Sequence, residues 1–330
     1  MSHCLFDCSP TAKVSRHSRD RFVARFVYRP YALIYALMLA GIGKVLPVCR
    51  MNDGCLKNDG RIKMTTTANN ERFESGTREY AAYLKTPEGR LRSDLTFANL
   101  EEFLPPPQAR KSLRALDVGC GTGETAVRLA RLGIHVTLLD LSHAMLDLAE
   151  SEARDAGVAD KVALKHGNAA ELASVSYNRS FDVIVCHNTL EYVDDPAAVL
   201  RGAARALRDS SSILSILVRN QAGEVFKAAI QAGDLSAAEA NLTAEWGQES
   251  LYGGRVRLFT PDSLRAMLES ASLTSIAQRG VRVVADYLPT QVSRSAEYER
   301  IFDLERKLGS RPEYAAVARY IHFLARCADR

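Results

Sequence analysis

The sequence predicts an α/β fold built on a doubly wound, mostly parallel seven-stranded sheet. Short apolar stretches recur between residues 113 and 218, amphipathic helical patterns lie between them, and the first stretch runs directly into a glycine-rich turn. Strands that alternate with helices are typical of a parallel sheet covered on both faces. The composition agrees, because 47% hydrophobic and 25% charged residues are ordinary for a globular protein.

The first predicted strand and its turn are the most informative segment. Residues 115–123 read ALDVGCGTG, so an apolar strand is followed by glycines at 119, 121 and 123. Glycine permits positive φ and close approach of a ligand, and the following helix offers unpaired N–H groups. A dinucleotide turn would carry its last glycine where Glu124 stands, which disfavours a pyrophosphate ligand. We therefore predict a turn for a different nucleotide cofactor.

Two side chains of this segment have separate interpretations. Asp117 lies inside the apolar strand, where an unpaired carboxylate would be costly, so we predict a functional role for it. Cys120 lies between glycines, where a small side chain fits, and nothing in its surroundings indicates a reactive thiol.

Three further strand and turn units follow. Residues 134–139 form a buried-strand pattern that ends at Asp140, where doubly wound nucleotide folds place an acid that accepts hydrogen bonds from ribose hydroxyls. A helical pattern begins at Leu141. Residues 161–166 lead into the sequence Gly-Asn-Ala, and residues 181–186 lead into a loop that starts at His187.

These motifs in this order resemble the class I S-adenosylmethionine-dependent methyltransferases. The resemblance implies a Rossmann-like methyltransferase fold and S-adenosyl-L-methionine as cofactor. It places the adenine ring beside Asn168 and Ala169; many relatives carry Asp where Asn168 stands, but the Asn oxygen can still accept from the adenine amino group. It also places the methionine end of the cofactor beneath the loop at His187.

Four segments carry a narrower resemblance, which runs from about residue 73 to residue 326. Residues 86–92, 187–192, 280–288 and 319–322 read TPEGRLR, HNTLEY, GVRVVADYL and RYIH, and they resemble the bacterial tRNA 5-carboxymethoxyuridine methyltransferases. Members of that family esterify the carboxylate of a modified wobble uridine. Together the two resemblances imply the following cofactor-binding residues: Arg92, Asp117, Gly119, Cys120, Gly121, Gly123, Asp140, Leu141, Asn168, Ala169 and His187.

The chemistry of such a reaction directs attention to arginine. A sulfonium methyl is a strong electrophile and a carboxylate is already ionised at neutral pH, so no general base is required. An arginine fork orients a carboxylate without transferring a proton to it. The candidates are Arg282 first, Arg257 second and Arg255, with Tyr287 and Tyr320 as hydroxyl donors.

Other functions stay open at this point. The substrate is expected to be tRNA or a small molecule; a small-molecule O- or N-methyltransferase is the first alternative, and a non-catalytic, cofactor-binding RNA-processing partner is the second. A basic strip near the cap would favour tRNA, and its candidates are Arg255, Arg257, Arg279, Arg282 and Arg294. No metal site is expected.

Three regions are predicted along the chain. Residues 1–63 form a leader outside the fold, residues 64–112 a helical extension that acts as a lid, and residues 113–330 the methyltransferase domain with a cap near 221–258. Within them we expect helices at 78–104, 197–207 and 221–250, a helix that Thr260 caps, and the last two strands around 280–285 and 318–325.

The charge distribution and the cysteine positions limit the binding partners and the compartment that we expect. Residues 1–64 carry 11 Lys or Arg against 4 Asp or Glu, whereas the rest carries 32 against 35. A slightly acidic core cannot hold nucleic acid by bulk charge, so any RNA contact needs a local basic patch. The uncharged run at 30–43 is too short to span a membrane. The cysteines outside the leader fall on predicted core elements, which indicates a reduced, cytoplasmic protein.

Overall fold

A computed structural model of the chain describes residues 66–172, 177–249, 251 and 253–328. The leader predicted at 1–63 lies outside the described residues, and its exclusion from the fold stays a prediction.

A mixed sheet of seven strands forms the centre of the molecule, in the order β3-β2-β1-β4-β5-β9-β8. The first five strands pair in parallel, whereas β9 is antiparallel to both of its neighbours. The predicted fold class, a doubly wound and mostly parallel seven-stranded sheet, is confirmed. The strands are β1 Arg114–Val118, β2 His135–Asp140, β3 Val162–His166, β4 Val183–His187, β5 Ile213–Arg219, β8 Leu273–Val281 and β9 Tyr320–Cys327, and a separate hairpin consists of β6 Trp246–Gln248 and β7 Arg255–Arg257.

Helices cover both faces of this sheet. Those before the hairpin are α1 Thr66–Ser75, α2 Thr77–Leu84, α3 Pro87–Glu101, α4 Pro107–Arg110, α5 Glu124–Arg131, α6 His143–Asp155, α7 Pro196–Ala206, α8 Gln221–Phe226 and α9 Leu235–Asn241. Those after it are α10 Pro261–Ser270, α11 Tyr298–Gly309 and α12 Pro312–Ala315. Thr260 caps α10 and Pro261 is its first residue, as the sequence predicted.

Alternation along the strands explains why both faces are buried. On β1, Leu116 belongs to one hydrophobic cluster and Ala115 to another, and Ile184 and Val183 divide in the same way on β4. Successive side chains of a strand point to opposite faces, so continuous apolar strands require a layer of helices on each side.

The strand order fixes where a ligand can bind. The chain leaves β1 for β2 on one side and reaches β4 on the other, so the connections diverge at the carboxyl end of β1. Ligands of doubly wound folds bind in the crevice at such a switch point. The glycine turn follows β1 and His187 ends β4, so both lie at this crevice.

The strand predicted around 280–285 is wrong in its bounds. Strand β8 ends at Val281, and Arg282 has a φ of 61°, which turns the chain out of the extended conformation. The next three N–H groups, of Val283, Val284 and Ala285, donate to the buried carboxylate of Glu305 at 2.6–2.8 Å. A carboxylate from α11 thus takes the place of a neighbouring strand.

The cap is predicted to be helical over 221–250, but it is only partly helical. After α8 the chain forms a π-helical segment, Lys227–Ala232, and Gly233 ends it with a φ of 65°. Asp234 then caps α9, and Trp246 pairs with Arg257 across the hairpin. The predicted helix at 78–104 is likewise divided into α2 and α3, because Thr86 caps α3 through the N–H of Gly89 at 3.1 Å.

Candidate functional site

Backbone conformation and tight packing explain why three positions of the turn after β1 are glycine. Gly119, Gly121 and Gly123 have φ values of 68°, 53° and 76°. A Cβ on Gly119 would lie 2.4 Å from Thr189 Oγ1, and one on Gly123 would lie 2.8 Å from the Cβ of Ala149. Larger residues therefore cannot occupy these two positions without moving the turn.

Asp140 links this turn to the end of β2. Its Oδ2 accepts from the N–H of Gly121 at 2.8 Å, and its Oδ1 accepts from the N–H of Ser142 at 2.9 Å. Burial raises the pKa of the carboxyl group, and the N–H groups of Ser142, Gly121 and Leu141 oppose that rise. Each oxygen retains lone-pair capacity for a further donor.

A cavity of about 310 Å³ opens in front of these groups. It contains most of the residues predicted to bind the cofactor: Arg92, Gly119, Gly121, Asp140, Leu141, Asn168, Ala169 and His187 line it, and so does Arg282. Asp117 and Cys120 line a smaller pocket of about 50 Å³, which shares Arg92, Gly119 and His187 with the first. Gly123, Arg257 and Tyr287 are not among the residues that line either of these two pockets.

Asn168 already uses its side-chain oxygen. Its Oδ1 accepts from the N–H of Ala170 at 2.9 Å and so caps the short turn Ala169–Glu171. The oxygen predicted to accept from an adenine amino group would therefore have to accept two hydrogen bonds, which a carbonyl oxygen can do.

Asp117 is buried in β1 beside the same turn. Burial, with a contribution from the charge of Asp140, raises the pKa of Asp117 to about 7. The carboxyl group is thus divided between its neutral and ionised forms near neutral pH.

The helices before β1 cover the cavity. Phe73, Tyr80 and Tyr83, from α1 and α2, contribute aromatic rings to its wall. Glu74 accepts from the N–H groups of His143 at 2.7 Å and Ala144 at 3.2 Å, and this attaches α1 to the first turn of α6. A carboxylate at a helix N-terminus also interacts favourably with the helix dipole.

A cluster of guanidinium groups surrounds Tyr320 on the wall of the cavity. The guanidinium carbons of Arg92, Arg282 and Arg319 lie 5.8, 5.8 and 6.0 Å from the centre of the Tyr320 ring. Burial opposes ionisation of the phenol, yet the charges of Arg92, Arg282, Arg219 and Arg319 together lower the pKa of Tyr320 to about 8. The potential at the Tyr320 hydroxyl is therefore positive.

Sheet topology brings this cluster together. Strand β9 lies between β5 and β8, so Tyr320 is paired with Arg219 on one side and with Val281 on the other. The residues next along the chain are Arg319 and Arg282, and the N–H of Arg319 donates to the carbonyl of Arg282 at 2.9 Å.

Carboxylates accompany three of these arginines. Arg219 Nη2 lies 2.6 Å from Glu249, and Arg319 Nη1 lies 2.8 Å from Glu224. Arg282 donates to Asp286 through Nε at 2.7 Å and to the hydroxyl of Tyr83 through Nη1 at 2.9 Å.

Arg92 differs from these three arginines. It donates to the phenol of Tyr80 at 3.0 Å, and no ion pair joins it to a carboxylate of the described residues. Arg92 thus keeps a buried positive charge that an anionic ligand could neutralise.

The remaining arginines named from the sequence do not join the cluster. Arg255 and Arg257 lie on β7 with their guanidinium groups 4.5 and 4.6 Å from the centre of the Trp246 ring. Arg279 pairs with Glu102 at 3.3 Å and Arg294 with Glu88 at 3.2 Å. Tyr287 donates to the carbonyl of Gly223 at 3.5 Å.

Sequence reasoning missed Arg219, Arg319 and Lys227 as residues of the cavity. A signal for two of them was available. Arg219 follows the apolar run of β5, and Arg319 begins the RYIH segment, so both stand at strand ends where doubly wound folds place ligand-binding groups.

No helix of the described residues is both long and apolar enough to cross a membrane. Among the same residues, no group of three or more His, Cys, Asp or Glu side chains is arranged so that it could hold a metal ion.

The fold and the site define the class, and comparison with known proteins agrees. The chain belongs to the S-adenosylmethionine-dependent methyltransferases: a family model described as a methyltransferase domain matches residues 109–273. More particularly, it is 32% identical over 247 residues to the tRNA 5-carboxymethoxyuridine methyltransferase of Escherichia coli K12, covering 73% of this chain and 90% of the relative. The predictions of the family and of an enzyme are thus confirmed.

Other relatives show how widely this fold is used. The ubiquinone biosynthesis O-methyltransferase of Hahella chejuensis is 32% identical over 181 residues, which cover 54% of this chain and 71% of the relative. The crystal structure of the [4+2]-cyclase SpnF matches with a TM-score of 0.55 and 18% identity over 82% of this chain and 98% of the other. An S-adenosylmethionine-dependent methyltransferase from Listeria monocytogenes matches with a TM-score of 0.50 and 15% identity, over 72% and 99%. These two structures support the fold alone.

Proposed function

We propose that this methyltransferase esterifies the carboxylate of 5-carboxymethoxyuridine at the wobble position of tRNA. The observation that carries the proposal is the guanidinium cluster around Tyr320, which shares one cavity with the glycine turn. Arginine is the residue best suited to bind a carboxylate. The Escherichia coli relative is named as a tRNA 5-carboxymethoxyuridine methyltransferase, and the alignment with it covers 90% of its length.

The residues around the turn fit S-adenosyl-L-methionine. A cavity of about 310 Å³ lies within the usual range for small-molecule sites. Asp140 would accept hydrogen bonds from the ribose hydroxyls, Asn168 and Ala169 would hold the adenine, and Arg92 and His187 would hold the methionine end. When bound, the cofactor supplies an electrophilic methyl group on its sulfonium.

The chain's own groups would then have to align the acceptor and exclude water. Burial opposes protonation of the Arg219 guanidinium, but Tyr320 and Glu249 raise its pKa above its ordinary value, so it stays charged and cannot protonate the substrate. Lys227 responds to the same potential, because burial and the charge of Arg319 lower its pKa. A substrate carboxylate in this region would be attracted and held in its ionised, nucleophilic form.

Arg282 remains our first candidate for orienting the carboxylate. It is buried, it lines the cavity, and Asp286 and Tyr83 fix the direction of its guanidinium plane. We now place Arg319 second, because it borders the same ring of Tyr320. Arg257 and Tyr287, the other candidates named from the sequence, line neither of the two pockets, so we rank them below both arginines.

One observation favours a small-molecule acceptor instead. The aromatic rings of Phe73, Tyr80 and Tyr83 line the cavity, as they could around a flat apolar substrate. The relative from Hahella chejuensis is named as an O-methyltransferase of ubiquinone biosynthesis.

The decisive experiment compares the two substrate classes directly. Purified protein and cofactor are incubated with tRNA that carries unesterified 5-carboxymethoxyuridine, and the nucleosides are analysed by mass spectrometry. Conversion of that nucleoside to its methyl ester supports the proposal. An unchanged nucleoside together with methylation of a metabolite extract would establish the small-molecule alternative. A tRNA substrate would also place the enzyme in the cytoplasm.

A further inference from the structure

Four polar side chains form a buried chain of hydrogen bonds that ends at the cavity. Asn99 Nδ2 on α3 lies 3.3 Å from His322 Nδ1 on β9. His322 Nε2 lies 2.8 Å from Ser215 Oγ on β5, and the same hydroxyl lies 2.8 Å from Nε2 of His187 at the end of β4. His322 and Ser215 have no solvent exposure, and Asn99 has 5%.

The chemistry of each group fixes the direction of these bonds. An amide nitrogen only donates, so His322 Nδ1 must accept and the proton of a neutral His322 ring must lie on Nε2. That N–H donates to Ser215 Oγ. Among the described residues the only hydrogen-bond partners of Ser215 Oγ are the two ring nitrogens, so its one proton is directed to His187 Nε2. The proton of a neutral His187 ring must then lie on Nδ1.

Both rings are neutral at physiological pH. Burial lowers the pKa of His322 to about 3, and the charge of Arg279 acts in the same direction. Burial also lowers the pKa of His187 well below its ordinary value, and His322 and Arg92 add to the effect. Protonation therefore does not disturb the order of donors and acceptors.

We propose that Asn99, His322 and Ser215 are positioning residues that hold His187 in the tautomer with its proton on Nδ1, as a donor to an anionic oxygen of the ligand. The inference rests on the proposed function for the presence of a cofactor in the cavity. His187 and Arg92 both line the larger and the smaller pocket, so two donors face the same space. The carboxylate at the methionine end of the cofactor is the acceptor that such a pair would bind.

The opposite tautomer would place a lone pair against that carboxylate. A buried acceptor that faces another acceptor loses its hydrogen bond and is repelled as well. Fixing the proton in advance also removes the need to select a tautomer when the ligand binds, which is how a hydrogen-bonded partner normally sets the tautomer of a functional histidine.

The test uses nitrogen NMR of the full chain without cofactor, which reads the tautomer of each histidine ring. The signals of His187 are identified by their loss in His187→Gln. The wild type should show the proton on Nδ1, whereas Ser215→Ala should give a mixture of tautomers. Ser215→Thr, which keeps the hydroxyl, should restore the wild-type pattern, and Ser275→Ala on β8 is the matched control that removes a hydroxyl elsewhere in the sheet.

Cofactor affinity provides the second measurement. Calorimetry should show about tenfold weaker binding for Ser215→Ala, the effect of one impaired hydrogen bond, with recovery in Ser215→Thr. Asn99→Leu interrupts the chain at its far end and serves if Ser215→Ala fails to fold.

Two results would overturn the inference. One is a wild-type His187 with its proton on Nε2. The other is an unchanged affinity in both Ser215→Ala and Asn99→Leu when the tautomer has shifted. Because the tautomer is read without substrate, a protein that fails to methylate tRNA would refute the proposed function and leave this result untouched.

Discussion

Replacing Asp140 by alanine tests the cofactor assignment most directly. The carboxylate holds the glycine turn through Gly121 at 2.8 Å and the start of α6 through Ser142 at 2.9 Å, and it also lines the cavity. A ribose would add hydrogen bonds to the remaining lone pairs. Each charge-assisted hydrogen bond contributes about 1.5–3 kcal/mol, so loss of even one weakens binding at least about tenfold.

The same change should also destabilise the protein. Two backbone N–H groups lose their acceptor, at a cost of about 1–3 kcal/mol for each group that stays buried. The melting temperature should therefore fall, and affinity must be measured by calorimetry at a temperature where the variant is folded, as judged by circular dichroism.

Asp147→Ala is a suitable control, because Asp147 is an exposed acid on α6 and its loss changes the net charge equally. We expect that control to bind the cofactor normally. A folded Asp140→Ala protein with wild-type affinity would show that Asp140 serves the turn alone, and the ribose assignment would then be wrong.

Three further predictions concern the cavity. A pKa of about 7 for Asp117 means that the folded protein retains a proton which the unfolded chain releases near pH 4, so stability falls as pH rises between these values. In urea titrations, the free energy of unfolding of Asp117→Asn minus that of wild type should therefore be larger at pH 8 than at pH 4, by up to about 4 kcal/mol. The same difference at both pH values would contradict that pKa. Since ionisation of Tyr320 near pH 8 would oppose an anionic substrate, kcat/KM should decline above that pH, and Tyr320→Phe should remove the decline. Arg282→Lys removes the planar guanidinium that can donate two hydrogen bonds to one carboxylate, so it should lower kcat on tRNA about tenfold or more at normal cofactor affinity. Arg257→Lys on the hairpin should leave kcat unchanged. Equal turnover in the two variants would place the carboxylate elsewhere.

The parts of the fold that could be predicted are those encoded locally. Strands β1, β2, β4 and β5 are largely apolar runs, the glycine turn follows β1 directly in the sequence, and Asp140 is the last residue of β2. Thr260 and Pro261 predict the start of α10 for the same reason, since a capping residue and its helix are neighbours in the chain.

The errors arise where distant segments decide the structure. Residues 283–285 have the composition of a strand, but Glu305 binds their N–H groups from α11, about twenty residues further on. Arg219 and Arg282 both lie near Tyr320 only because β9 lies between β5 and β8. Neither partner is visible in the local pattern. A position at a strand end was the one available signal for Arg219 and Arg319, and it does not show which arginines share a cavity.

The pairing of β9 has a consequence for any attempt to change the acceptor. Tyr320 and His322 are two residues apart on one strand and so belong to the same face, the first in the guanidinium cluster and the second in the hydrogen-bond chain to His187. A deletion or insertion of one residue before them would exchange this face for the one that carries Ile321, and both ends of the cavity would fail together. Redesign of substrate choice is therefore better directed at α8, the π-helical segment and the β6–β7 hairpin, which can be altered without shifting the register of the sheet.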